Sequence, residues 1–307
     1  MNFQNVFSQI IILFLLLISG YCAKKLKVFN DETIKGLTSI LVNLSLPALV
    51  ISSLIREITP SLLKESFQIL IISFITYFVS FFIALIIPKI IRSKKEEIGV
   101  FSFIIMFSNV GFMGYPVLNA VFGEDSLFYA AIYNLPFNVL IFTIGIWLLK
   151  KDSNSKINFN WKLFINPGII AVIIGFIIFV FSIPVPYIIK GTLDLLGSTT
   201  TPLSMIVVGG LLTHSKLKDT FSNWRIYFIS FIRLIIMPLI IWSILAPFIN
   251  HPLLLGIPVI IASMPAAANT AILAEEYGAN GEIASQAIFI STLISIVTIP
   301  FIALIIT

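Results

Sequence analysis

Phe107-Ser108-Asn109-Val110-Gly111-Phe112-Met113-Gly114-Tyr115-Pro116 interrupts an otherwise apolar run, Ile98 to Phe122, near its middle. A second run, Leu253 to Ala274, is interrupted in the same way by Met264-Pro265-Ala266-Ala267-Ala268-Asn269-Thr270. Lipid cannot satisfy the backbone groups that such breaks free at mid-depth. They persist where the backbone is buried in protein or lines a watery cavity. Paired interruptions in the two halves of one chain are a sequence pointer to the substrate site of a membrane carrier.

The composition fits that setting. Of 307 residues, 58% are hydrophobic and only 11% charged, against about 25% charged in a soluble globular protein. The charges cluster between long apolar runs, as helical spans require. The lone cysteine, Cys22, excludes an internal disulfide and a multi-cysteine metal site. The net charge of +5 arises from short loops between apolar runs and does not read as nucleic-acid binding. No carboxylate pair, nucleophile motif or His-rich metal motif falls at membrane depth, since His214 and His251 both lie in loops. A Walker-type loop is also missing. The expectation is a non-enzyme with no metal and no cofactor. Val6 to Tyr21 is preceded by no basic residue and followed by no Ala-x-Ala site, so it reads as a first membrane helix rather than a cleaved signal.

Ten apolar runs are delimited by charged or turn-rich punctuation: 5–23, 34–55, 66–88, 98–122, 127–149, 163–183, 188–213, 226–249, 253–274 and 283–306. Most have the roughly 20 residues needed to cross a hydrocarbon core. Loops after runs one, three, five and seven carry 15 of the 19 basic residues, including Lys24, Lys35, Arg92, Lys150 and Arg225. Those loops are expected to face the cytoplasm, with both termini outside. Gly20, Lys35, Pro47 and Gly123 recur 155 positions later as Gly175, Lys190, Pro202 and Gly278. Five spans per half is odd, so the second half enters the membrane from the opposite side. The predicted fold is an all-α membrane protein of ten transmembrane helices in two inverted five-helix repeats. Residues 1–149 form the first repeat, 150–162 a cytoplasmic linker and 163–307 the second repeat, with helices 4 and 9 broken.

Candidate site residues follow from the breaks. Asn109 offers an amide donor and acceptor; Gly111 and Gly114 permit close backbone approach. Pro116 removes one helical hydrogen bond and disfavours helix at Tyr115. The half-helix N-terminus that follows suits a carboxylate, although a kinked, tightly packed helix would use the same residues. Pro265, Asn269 and Thr270 are the matching set, with Ala266 to Ala268 open to reading as a packing seam. Asn43 and Ser45 before Pro47, and Ser198, Thr199 and Thr200 before Pro202, form two polar steps. Their oxygens suit Na⁺; equally, their hydroxyls would satisfy carbonyls freed by the prolines. Arg233 lies inside the eighth run, where an ionisable residue suggests function. It would counter an organic anion, snorkel to the cytoplasmic headgroups, or pair with a carboxylate such as Asp194.

Asn43–Pro47 with Ala48-Leu49, Asn109 followed by Gly114-Tyr115-Pro116, Arg233-Leu234 with Pro238, and Pro265 followed by Ala274-Glu275-Glu276-Tyr277-Gly278 occur in this order. With them the whole chain resembles the auxin efflux carrier family, which includes the plant PIN-FORMED carriers and bacterial malate-permease-like proteins. The resemblance implies a fold similar to that of bile-acid sodium symporters. Helices 1, 2, 6 and 7 would form a scaffold; helices 3–5 and 8–10 would form a mobile transport domain in which the broken helices cross. It also implies that Asn109 contacts a substrate carboxylate. Plant members have Pro-Asn-Thr where this chain has Ser108-Asn109-Val110, and Pro-Gln-Gly where it has Pro265-Ala266-Ala267. These departures point away from auxin itself and leave a small carboxylate, malate-like or an auxin-like weak acid. The expected activity is secondary transport of such an anion across a cytoplasmic membrane. A sodium-coupled symporter and a non-transporting sensor or channel are the alternatives. Na⁺ or H⁺ coupling and a homodimer are left open by the sequence.

Overall fold

In the computed structural model, which describes residues 3–150, 166–213 and 223–306, the regular elements are all helical. Helices α1 (Phe3–Lys25), α2 (Asp31–Leu54), α3 (Pro60–Ile90), α4 (Lys95–Met106), α5 (Val110–Phe122) and α6 (Asp125–Lys150) make up the first half. The second half holds α7 (Pro167–Val180), α8 (Tyr187–Leu212), α9 (Trp224–Leu245), α10 (Pro252–Ala262), α11 (Thr270–Glu276) and α12 (Gly281–Ile306). Seven of them (α1, α2, α3, α6, α8, α9 and α12) are long and apolar enough to cross a membrane, and α5, α7 and α10 are shorter apolar helices. The anticipated fourth and ninth runs are thus each divided, as α4–α5 and α10–α11. Most of the proposed 150–162 linker, and the start of the sixth run, lie outside the described residues.

Local chemistry sets the helix starts. Asn30 Oδ1 accepts from the Thr33 amide at 2.7 Å, and Asn166 Oδ1 from the Ile169 amide at 2.9 Å. Thr59, Asn166 and His251 each precede a proline at the first helical position, where a missing N–H costs nothing. These caps explain why α2 and α3 begin earlier than their apolar runs do. Prolines also shape the interiors. Leu41–Ser45, Val110–Gly114 and Ile232–Ile236 are π-helical turns, each ending two residues before a proline: Pro47, Pro116 and Pro238. The wider turn moves aside the carbonyl that the ring would strike and absorbs the missing donor. Tyr115 is consequently helical, contrary to expectation, and the unwound stretch is confined to residues 107–109.

Helix α1 runs along the second half of α8, and the later part of α2 packs on α7 and the first half of α8. The approach of α1 to α8 is close at Gly20 and Gly209. A Cβ on Gly209 would lie 1.9 Å from the Leu17 carbonyl oxygen. The remaining helices pack mainly on one another, α3 on α4 and α6, α9 on α12 and on α10, and α11 on α12. Tyr77, Phe107, Tyr133 and Phe137 form an aromatic cluster linking α3 and α6 to the unwound stretch after α4. Ion pairs gather at both ends of the bundle. Lys24–Asp31 and the Arg92, Arg225, Glu97 and Asn223 group gather at one end. At the other are Arg56–Asp125 and Lys190–Asp194.

Candidate functional site

The two unwound stretches meet. Ser108 and Ala266 form an isolated antiparallel bridge, and the Asn109 amide donates to the Pro265 carbonyl at 2.9 Å. The Ala266 amide donates to Ser291 Oγ of α12 at 3.2 Å. Non-helical backbone deep in an apolar bundle is thereby satisfied by its counterpart and by one serine, as burial away from lipid requires.

Asn109 stands at the head of α5. Its φ of −79° and ψ of 63°, with the Val110 amide donating to the Ser108 carbonyl at 2.9 Å, describe an inverse γ-turn. That turn reverses the chain and aims the side chain along the new helix, where Oδ1 accepts from the Phe112 amide at 3.4 Å. The same bond orients the amide, so Nδ2 is the end left over. Asn109 is 3% exposed and Nδ2 has no hydrogen-bond partner. A buried amide N–H without an acceptor costs about 1–3 kcal/mol. Such a group, aimed beside a helix N-terminus of favourable dipole, is complementary to an anion.

Among the described residues, two cavities reach α5 from opposite ends of the bundle. One of about 520 Å³, at the Lys190–Asp194 end between α2, α5 and α8, is lined by Ser52, Arg56, Tyr115, Asn119, Lys190 and Asp194. The other, of about 390 Å³, lies towards the Lys24–Asp31 end and is lined by Lys35, Thr38, Phe112, Val208 and Asn269. Asn109 lines neither; within its helix, Phe112 lines the second cavity and Tyr115 the first. Tyr115 faces Asn134 of α6, which in turn accepts at its backbone carbonyl from Asn138 Nδ2 at 3.0 Å.

The remaining candidates are distributed around this centre. Gly111 and Gly114 lie in the π-turn that opens α5, and Pro116 is the second residue of the α-helical turn after it. Pro265 is the carbonyl partner of Asn109. Asn269 lies at the head of α11 with no side-chain cap, while Thr270 Oγ1 donates to the Ala267 carbonyl at 2.6 Å. Ser45 Oγ and Thr199 Oγ1 are 2.8 Å apart, so the two proline-kinked polar steps touch. Thr200 is fully buried and its hydroxyl lacks a partner. Asn43 is exposed and donates to the Ser39 carbonyl at 2.9 Å, apart from that group. Ser198 and Thr199 hydroxyls donate to the Leu195 and Leu196 carbonyls, at 2.8 and 2.6 Å.

Arg233 differs most from its expected surroundings. It does not snorkel, being 2% exposed, and Asp194 is engaged instead by Lys190 at 2.9 Å and by Ser52. Its Nη1 donates to the Ile105 carbonyl at 2.9 Å, its Nε to the Met264 carbonyl at 3.2 Å and its Nη2 to the Ile261 carbonyl at 3.3 Å. The side chain binds the ends of both α4 and α10. Ser291 was not anticipated as part of the crossing. The signal for it was present: Ser291, Ser295 and Thr298 share one face of an otherwise apolar α12.

Comparison with known proteins agrees with this geometry. The family described as "Membrane transport protein" matches residues 5–158 and 153–303, nearly the whole chain. The chain belongs to the auxin efflux carrier family. Its relatives within that similarity include an "Uncharacterized transporter" of Methanothermobacter thermautotrophicus, 27% identical over 98% of both chains. YfdV of Escherichia coli K12, also an "Uncharacterized transporter", is 22% identical over 93% of this chain and 92% of its own. A Rhizobium meliloti protein named "Putative malonate transporter" is 24% identical over 92% of this chain and 90% of its own. Membership makes the protein a multi-pass membrane transport protein, and its bridged helix breaks fall on the residues that carried the family resemblance.

Proposed function

We propose that this auxin efflux carrier family member is a secondary transporter of a small organic anion, a carboxylate of the malonate or malate class. The observation that carries the reading is the unpartnered, buried Asn109 Nδ2 at the head of α5. A carboxylate oxygen there completes a charge-assisted hydrogen bond and meets the positive end of a 13-residue helix. The cavities towards opposite ends of the bundle, one reaching α5 at Phe112 and the other at Tyr115, fit a centre reached from one face at a time. Counting α4–α5 and α10–α11 as one broken span each supports a reading of ten spans in two inverted five-helix repeats. Gly123 and Gly278, 155 residues apart, both adopt left-handed φ, 78° and 76°, which supports the repeat. The Lys- and Arg-rich end faces the cytoplasm, so α1 begins outside. The helices α3–α6 and α9–α12 move together against α1, α2, α7 and α8, carrying the crossing past a fixed scaffold in alternating access.

Titrating malonate into purified wild-type protein and Asn109→Ala by calorimetry tests the assignment. A hydrogen bond to a charged group is worth about 1.5–3 kcal/mol, so the variant should lose roughly 10- to 150-fold in affinity. Equal affinity in a folded, monodisperse variant would remove Asn109 from the site.

A further inference from the structure

Transporters with broken helices commonly use unwound carbonyls and half-helix C-terminal ends to coordinate a coupling Na⁺ or H⁺. In this protein that position is filled by a side chain. Helices α4 and α10, of 12 and 11 residues, end side by side at the crossing. Each presents about half a negative charge at its C-terminus. The pair therefore sums to about one negative charge, and Arg233 carries one positive charge into it. No ion pair among the described residues includes Arg233. Its guanidinium is instead spread over three carbonyl oxygens, one from α4 and two from the end of α10 and the stretch after it. A buried cation left without such compensation would cost several kcal/mol.

We propose that the Arg233 guanidinium is the permanent cation of the crossing. It occupies the carbonyl oxygens that would otherwise hold a monovalent cation, so anion binding there requires no Na⁺. Arg233 is a positioning residue: it ties the ends of α4 and α10, and so fixes where the unwound stretches place Asn109. The consequence for coupling rests on the transporter reading above; the cation site itself does not. The π-turn at Ile232–Ile236, imposed by Pro238, sets the guanidinium at this depth of α9.

Removing the side chain should leave a cation site in its place. Thermal unfolding of wild type and Arg233→Ala would be followed in detergent with choline, Na⁺ or low-millimolar guanidinium chloride at matched ionic strength. Wild-type Tm should be the same in all three. Arg233→Ala should melt lower in choline and recover saturably, by several degrees, with guanidinium or Na⁺, as ligand linkage requires. If the alanine variant does not accumulate, Arg233→Lys and Arg233→Gln decide the matter. The lysine variant should melt above the glutamine variant and be indifferent to guanidinium, while the glutamine variant responds. Saturable stabilisation of wild type by Na⁺ would overturn the proposal. So would a glutamine variant as stable as the lysine one, or neutral variants deaf to both cations. Wild-type malonate affinity should be equal in Na⁺ and choline, and a requirement for Na⁺ would also overturn it. Failure of malonate to bind at all, with the melting results intact, would count against the transporter reading alone.

Discussion

Gly209→Ala should destabilise the protein by about 1–3 kcal/mol, the usual cost of overpacking a close contact. The added Cβ would lie 1.9 Å from the Leu17 carbonyl oxygen and 2.8 Å from the Tyr21 amide nitrogen, and Cβ contacts essentially never fall below 3.0 Å. The first contact must therefore open by at least 1.1 Å, the difference between 3.0 and 1.9 Å. Both obstructing atoms are backbone, so no rotamer change relieves them and α1 must move away from α8. Gly20 makes the reciprocal approach, with a Cβ position 2.3 Å from the Ile206 carbonyl oxygen, so the two glycines hold one seam. Gly191, on the exposed first half of α8, is the internal control because nothing lies within 4 Å of its Cβ position. Alanine there should be neutral or stabilising by about 0.5–1 kcal/mol. Thermal unfolding of the three proteins in one detergent reads the difference directly. A Gly209→Ala protein melting at or above both wild type and Gly191→Ala would refute the close α1–α8 packing.

Two further perturbations test other parts of the frame. Ser45→Ala and Thr199→Val in a double-mutant cycle should show a coupling of about 0.5–1.5 kcal/mol, since their hydroxyls meet at 2.8 Å in a partly buried setting; additive unfolding energies would mean that the contact between α2 and α8 is not formed. Glu97 is 2% exposed, accepts from Asn223 Nδ2 at 3.0 Å and from the Lys94 amide at 2.8 Å, and faces Arg225 at 3.8 Å. Glu97→Ala should cost about 1–3 kcal/mol by stranding those donors, with Glu97→Gln intermediate, and equal melting of all three proteins would count against the link between α4 and α9.

The breaks were legible because glycine, proline and asparagine punctuate apolar runs whose register is otherwise unambiguous. Their exact extent was not. A proline in sequence announces a missing donor, but whether the helix ends or widens into a π-turn depends on what packs around it, and at Pro116 it widened. Asn109 stood out as a polar residue at depth. That its Oδ1 would be held by Phe112 and its Nδ2 left open required the γ-turn geometry. Arg233 was conspicuous, yet its partners are backbone carbonyls of residues 105, 261 and 264, which leave no trace in side-chain identity. The Ser45–Thr199 contact and the two cavities are likewise products of tertiary packing between segments roughly half a chain apart.

On the proposed function, the crossing carries an organic anion from one side of the membrane to the other by alternating exposure. Counterflow in proteoliposomes addresses it most directly. Vesicles loaded with unlabelled malonate and diluted into labelled malonate should accumulate label transiently above equilibrium, in wild type and not in Asn109→Ala. Equilibration without overshoot, at a rate indifferent to internal malonate, would indicate a pore or no pathway at all and contradict the account.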